Sequence, residues 1–416
     1  MSIYRISTNM PNENGVFHLN NREYSMDKVN QQINTGKKDR LPRENVVDVT
    51  QAMTIHTKIH KIDQYIRNIQ DGESERSLIE VKINDTIQIL QRVRELAVQG
   101  ANGIYTEEDR KKMAIEVDQL LRDVILNANS KYKGNFLFSG YQKYTKPFET
   151  LEGAVRGINQ SMIKEVRYLG DNGKQLREMD TGEYIATGMP GSEAFWGEQF
   201  QIYSAVNTAN FRLTQDQVIM IDGNRIEFKA GDNIYAIMDK INRSPAAVTA
   251  SVDIVNGGLV LKTTKPHKLE LADIEGGTLL QDLGILEKGR QIGPDNYEPT
   301  ATVISGSIFD ILIGLRDAFL QNNQEDIGGR FLGSIDLAID NLTYHIAETG
   351  AIDNRLKYLE KRLGDDKIAY TETLTKIEDV DIAEAITNLN MLEFAHKTAL
   401  GSLARITKTT LMDFLR

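Results

Sequence analysis

Residues 377–416 read IEDVDIAEAITNLNMLEFAHKTALGSLARITKTTLMDFLR. Apolar residues recur there every three or four places, at Ile382, Ile386, Leu389, Leu392, Ala395, Ala399, Leu403 and Ile406. That spacing predicts one stripe of an amphipathic helix. The stripe runs almost to the last residue, where Leu411, Phe414 and Leu415 crowd together with no Gly or Pro stop and no charged tail after them. Chain ends are usually frayed and polar. A greasy terminal helix needs a cover, so the question of function becomes the question of what covers this one.

Other segments of the chain supply candidates. Val16, Leu19, Met26, Val29 and Ile33 form a loose helical stripe that stops at Thr35-Gly36, followed by a polar connector broken by Pro42. A second helix is predicted from Val46, with a heptad-like stripe through Ala52, Ile55, Ile59, Ile62, Ile66 and Ile69. Its register falters at Asp71-Gly72-Glu73 and resumes through Ile79, Ile83, Leu90, Val93 and Ala97. If continuous, it is roughly 50 residues and roughly 75 Å long, far above the globular mean of about 11 residues. Thr106-Glu-Glu-Asp109 is close to a capping box and opens a third helix striped by Met113, Val117, Leu120 and Val124. Residues 150–300 differ in kind. Short alternating runs are punctuated by Asp222-Gly223 and Gly257-Gly258, which is hairpin chemistry. Helix returns at 308–320 and over a long stretch striped by Ile335, Ile339, Leu342, Ile346, Leu356, Leu359 and Leu363.

Composition narrows the function. Of 416 residues, 40% are apolar and 26% charged, and the formal net charge is -10. No basic surface for phosphate is evident, which argues against a nucleic-acid binder. Cysteine is absent, which excludes disulfides, thiolate metal sites and cysteine nucleophiles. No run of about 18 apolar residues occurs, so no membrane helix is expected. The start, MSIYRISTNMPNENG, has no apolar core of a Sec-type signal.

Catalytic patterns are equally thin. His56 and His60 stand at i, i+4 but lack the general-base Glu of a zinc-binding helix, and a solvated helix face accounts for them. Gly170-Asp-Asn-Gly173 fits neither a phosphate loop nor a calcium loop and is expected to be a hairpin turn. The lone Trp196, beside Phe195, is expected in the β-region core. No catalytic, cofactor or metal residues are assigned, and an enzyme is not expected. The informative signal is the apolar stripes. Segments 50–130 and 308–365 can cover one another as an intramolecular coiled coil. Helices 16–34 and 382–415 can pair, but two helices alone leave much apolar surface wet. Either the monomer closes over them or copies of the same segments in other subunits do, and contacts that do not close on themselves build a tube or ring.

Several motifs also carry a resemblance. Tyr4-Arg-Ile-Ser-Thr-Asn-Met10, Asn34-Thr-Gly-Lys37, Asn135-Phe-Leu-Phe-Ser-Gly-Tyr141, Tyr168-Leu-Gly-Asp-Asn-Gly173 and Glu378-Asp-Val-Asp-Ile-Ala-Glu-Ala385 are similar to segments of the flagellin family. Within it they look most like the members that join hook to filament. Ile221-Asp-Gly-Asn, Val248-Thr-Ala-Ser251 and Gly258-Leu-Val-Leu261 resemble a module inserted in flagellins and hook-associated proteins. The resemblance implies an α+β, multidomain, flagellin-like fold, with long N- and C-terminal helices in a discontinuous coiled-coil rod and a central β-rich outer domain. The expected domains are 1–45 with 377–416 as terminal assembly helices, 46–149 with 301–376 as the rod, and 150–300 as the outer domain, with the inserted module at about 215–290.

The function so implied is a structural adaptor exported to the bacterial flagellum, extracellular or, if the flagellum is enclosed, periplasmic. Its partners would be a ring of its own copies, the adjacent junction protein, flagellin, and a cytoplasmic export chaperone on the C-terminal helix. A cofactor, nucleic acid or membrane is not expected. Val16, Leu19, Met26, Val29, Ile33, Ile382, Ile386, Leu389, Leu392, Leu403, Ile406, Leu411, Phe414 and Leu415 are the expected assembly interface. Flagellin itself, or a secreted adhesin or enzyme with its activity in the β region, are the alternatives. Ordering costs about 1–2 kcal/mol per residue and burying a Leu or Ile returns about 1.5–3 kcal/mol, so a stripe with one apolar residue in three or four is near break-even alone. Such helices would be disordered in the monomer and form the inner tube once neighbours cover them.

Overall fold

The structure, a computed structural model, describes residues 10–38, 45–155, 161–254, 256–290 and 296–413. In chain order, helices α1 (Met10–Thr35), α2 (Val46–Ala101) and α3 (Glu107–Ala128) precede short strands β1 (Lys131–Tyr132) and β2 (Asn135–Phe136). Two antiparallel pairs follow, β3 (Phe148–Ala154) with β4 (Ser161–Tyr168) and β5 (Leu176–Asp180) with β6 (Glu183–Ala186). The turn α4 (Gly191–Ala194) leads to β7 (Gln201–Tyr203), β8 (Gln217–Ile221), β9 (Asn224–Phe228), α5 (Ile234–Arg243), β10 (Val248–Val252) and β11 (Leu259–Thr263). Then come β12 (Leu271–Ile274), α6 (Leu279–Asp282), β13 (Thr302–Ile304), α7 (Ile308–Leu320) and the single turn α8 (Gln324–Asp326). A π turn at Ile327–Phe331 opens α9 (Leu332–Glu378), and α10 (Ile382–Asp413) completes the order. The chain divides into two compact units, Met1–Ile66 with Glu360–Arg416 and Arg67–Leu359.

The larger unit, Arg67–Leu359, has two cores. The first takes Ile79, Ile83, Leu90 and Val93 from α2, Val117, Leu121 and Val124 from α3, Leu312, Leu315 and Phe319 from α7, and Ile335 and Leu342 from α9. These are the stripes read from the sequence, now covering one another. Thr106 caps α3 as expected, with reciprocal bonds to Asp109. Arg316 of α7 reaches Asp118 of α3 at 2.9 Å, and both side chains are buried. Phe148, Phe195 and Phe309 form an aromatic knot, with ring centroids 4.8 to 5.7 Å apart. Trp196 belongs to this helical core and not to the β core expected for it. Its backbone bridges to Ser307, the cap of α7, which draws the Phe195-Trp196 pair to the helices.

The register fault at Asp71-Gly72-Glu73 proves to be a docking site. α2 continues through it unbroken. Asn68 Nδ2 donates to the Glu178 carbonyl at 2.8 Å, and Arg177 pairs with both Asp71 and Glu75. Asp71, one of the charges that interrupt the stripe, therefore meets its counter-charge on β5. Gly170–Gly173 is not the expected hairpin turn, because among the described residues β4 pairs only with β3 and β5 only with β6. Instead Asp171 Oδ1 accepts from the amides of Tyr141 and Gly173, both at 2.8 Å, and staples this loop to the FSGY segment.

The second core is the β module. Its sheets run β10-β11-β7-β13 and β12-β8-β9. Ile234, Ile237 and Ile241 of α5 are buried with Ile219, Ile221, Phe228, Leu259 and Leu261. Asp222-Gly223 makes the tight β8–β9 turn, both residues at positive φ as a two-residue hairpin of this type needs.

Candidate assembly interface

The smaller unit is built on α1 and α10, which run antiparallel. Gly15 lies against Leu403, Arg22 Nη1 donates to the Ala395 carbonyl at 2.8 Å, and Lys37 bridges to Asp379. On α1, Gly15, Leu19, Arg22, Met26, Val29 and Ile33 are half-buried at alternating spacings of four and three. On α10, Ala385 is buried and Leu389, Leu392, His396, Ala399 and Leu403 are half-buried at the same spacing. Two heptad rows so placed form a narrow seam. His396 occupies one seam position; its Nε2 is 3.9 Å from Glu23, and Nδ1 is buried without a hydrogen-bond partner.

Of the residues predicted for the interface, Leu19, Met26, Val29, Ile33, Leu389, Leu392 and Leu403 line this seam. Val16, Ile382 and Ile386 stand outside it and are exposed. Ile406 and Leu411 lie beyond the last described side chain, and Phe414 and Leu415 lie outside the described residues. The exposed three are joined by Phe17, Tyr24, Met391, Phe394 and Leu400, which the single-stripe reading passed over. Phe394 is 74% exposed. A second apolar spacing beside the first, Ile382 to Ile386 and Met391 to Phe394, was the available signal. Beside it a groove of about 520 Å³ runs along the pair, lined by Gly15, His18, Arg22, Phe394, Ala399 and Leu403 among others.

One end of the pair is closed by polar contacts. The stretch 377–416 is not one helix, because Ile377 belongs to the end of α9. α9 ends at Glu378, and α10 starts at Ile382 under an Asp381 cap whose Oδ1 accepts from Ala383 N at 2.9 Å and Glu384 N at 3.1 Å. In the gap, Val380 N donates to the Gly36 carbonyl at 3.0 Å and Lys38 N to the Glu378 carbonyl at 2.7 Å. The Glu378 carboxylate pairs with Lys37 and, at 3.0 Å, with His56. Burial alone would raise the Glu378 carboxyl; the Lys37 and His56 contacts outweigh it and hold it below the usual range. His56, read as part of a solvated face, is thus one of the groups that fix the chain reversal.

The arrangement is a pair of helices held by a thin seam, with apolar side chains on its outer surface. Among the described residues no cluster of three or more metal-binding side chains occurs, and no helix is long and apolar enough to cross a membrane. Family models match at three places. The bacterial flagellin N-terminal helical region matches residues 6–143, the flagellin hook IN motif 213–265, and the bacterial flagellin C-terminal helical region 332–415. The chain belongs to the flagellin family and is a structural component of the bacterial flagellum.

Its relatives fall in two groups. Polar flagellin B/D of Vibrio parahaemolyticus is 23% identical over 405 residues, 96% of each chain. Flagellar hook-associated protein 3 of Salmonella typhimurium is 24% identical over 246 residues, 58% of this chain and 74% of that one. The crystal structure of flagellar hook-associated protein 3 from Legionella pneumophila aligns with a TM-score of 0.47 and 20% identity, covering 78% of this chain and 98% of that one.

Proposed function

We propose that this chain is an adaptor subunit at the hook–filament junction, assembling with copies of itself through the outer surface of the α1–α10 pair. The observation that carries the reading is the division of apolar residues there. Leu19, Met26, Val29, Leu389 and Leu392 face the seam, while Phe17, Ile382, Ile386, Met391 and Phe394 remain exposed. Monomeric surfaces rarely keep such patches bare. In this reading the neighbours on one side are the adjacent junction protein and on the other flagellin. The protein leaves the cell by the flagellar export route, and a cytoplasmic chaperone masks the α10 surface until then. Incorporation tests it. In a strain lacking this chain, restoring the intact gene should restore filaments, and a version lacking 382–416 should not, although its purified product keeps a folded Arg67–Leu359 unit.

Flagellin is the second reading, favoured by the alignment with polar flagellin B/D along 96% of both chains. Seeded polymerisation separates the two. A flagellin extends into long filaments from purified monomer, whereas an adaptor stops at small assemblies.

A further inference from the structure

The β module meets the helical core of its unit along a polar seam, and one histidine there faces two acceptors. His267 is buried. Its Nδ1 lies 2.9 Å from the Lys265 carbonyl and its Nε2 lies 3.0 Å from Asp222 Oδ2. Neither a carbonyl nor a carboxylate oxygen has a hydrogen to give. A neutral imidazole carries a single N–H and would leave one contact as lone pair against lone pair. The imidazolium satisfies both.

Asp222 is fixed in turn. It sits in the β8–β9 turn, and its Oδ1 accepts from Asn172 Nδ2 at 3.1 Å and from Glu270 N at 3.0 Å. Asn172 belongs to the loop after β4, in the part of the unit that packs on the helices. Lys268 completes the joint: its amide donates to the Ser192 carbonyl at 3.0 Å and its Nζ to the Tyr168 carbonyl at 3.3 Å. The module's turn is thus fastened to Asn172 through the Asp222 carboxylate and its 265–270 loop to Tyr168 and Ser192 through Lys268, and His267 is the carboxylate's counter-charge.

We propose that His267 is a protonation latch: the imidazolium holds the β module against the helical core, and losing its proton at higher pH releases that hold. The charges around it agree. Lys174 and Glu193 face the same cleft and neutralise each other at 2.7 Å, and His345 of α9 lines it with its Nδ1 3.3 Å from Glu348. Lys265 and Lys268 flank the ring in its own loop, and Glu270 and Asp171 stand near Asp222. Burial works against the charge on His267, but the Asp222 hydrogen bond and charge, the Lys265 carbonyl and Glu193 together raise its proton affinity above the usual value. The folded value being raised, the latch stabilises fully below about pH 6.5 and its contribution is lost as pH rises through the folded value. Glu270 acts in the same sense, its carboxyl raised by burial and then by Asp222 and Asp171, so the experiment must tell the two apart.

Hydrogen exchange on the full chain at about pH 6 and about pH 8.5, corrected for intrinsic rates, does so. Protection of the Lys268 and Glu270 amides should fall about tenfold across that range, the scale of losing one hydrogen bond to a charged group. In Asp222→Asn the side-chain amide can donate to Nε2 of a neutral ring, so the seam stays protected and the pH dependence disappears. Flat protection in the intact chain overturns the proposal. So does a fall that persists in both Asp222→Asn and His267→Gln, which would place the titration on another group, Glu270 or the cleft's His345. Imidazole nitrogen shifts of a neutral His267 at about pH 6 in the unaltered protein would overturn it without any variant.

Discussion

Replacing Phe394 by Asp separates an assembly surface from a monomer core. The ring is 74% exposed on α10, next to Met391 and turned away from the Leu389–Leu392–Leu403 seam. In the free subunit little is lost, because exposed substitutions usually stay within about 0.5 kcal/mol. The melting temperature should therefore move by less than about 2 °C. In an assembly that covers this face, the loss is the burial of a Phe, about 1.5–3 kcal/mol, plus the cost of drying an unpaired carboxylate, about 2 kcal/mol or more. The sum of about 4 kcal/mol is about a thousandfold in each subunit contact. The assay pairs thermal unfolding of the purified chain with the fraction of flagella that carry filaments in cells expressing the variant. Phe394→Asp should leave the melt unchanged and abolish filaments. Leu363→Ala, on a fully buried α9 side chain, should do the opposite first, lowering the melt by about 2–5 kcal/mol of stability. A drop of more than about 5 °C for Phe394→Asp, or normal filaments with it, would refute the division of faces.

Three further outcomes follow from the structure. Asp118→Ala leaves Arg316 buried without its α3 partner and should cost about 3–5 kcal/mol in denaturant unfolding, whereas Asp118→Leu with Arg316→Leu should recover most of it. Gly100→Ala gains about 1 kcal/mol of helix propensity, but its Cβ would stand 2.0 Å from Cε1 of buried Phe319, and overpacking at about 1–3 kcal/mol decides the sign as destabilising. The Glu378 carboxyl is held low, so its contribution to the α1–α10 reversal is present above the unfolded value of about 4.3 and is lost as pH falls through the lower folded value. Exchange of the Val380 amide should accelerate on acidification in that window, beyond the intrinsic change, and Glu378→Gln should remove the dependence.

How much of this was legible depended on whether the signal lay along one helix or between segments. Stripes spaced three and four apart are local, and α2, α3, α7 and α9 appear where the stripes lie. The same holds for Thr106 as a cap and Asp222-Gly223 as a turn, since each motif acts within four residues. The break before α10 was also written locally: Asp381 with Glu384 three residues on has the form of a helix start, just ahead of the first stripe residue, Ile382.

What escaped the sequence involves partners far apart in the chain. Asp71-Gly72-Glu73 reads as a flaw in a helix until Arg177, more than a hundred residues away, supplies the opposite charge. Trp196 reads as β core until Ser307 pulls it toward α7. The interface itself sits between these cases. Periodicity marks which residues of α1 and α10 are apolar, but one stripe on each helix suffices to pair them. Only the geometry shows that the pairing uses Leu389, Leu392 and Leu403 and leaves Ile382, Ile386 and Phe394 uncovered. A helix that carries more apolar surface than its partner can cover binds weakly as a pair and firmly in a group, because each added neighbour buries side chains whose backbone has already been ordered. In the assembly proposed above, the first contact would bear the entropy of folding, and later ones would collect the burial.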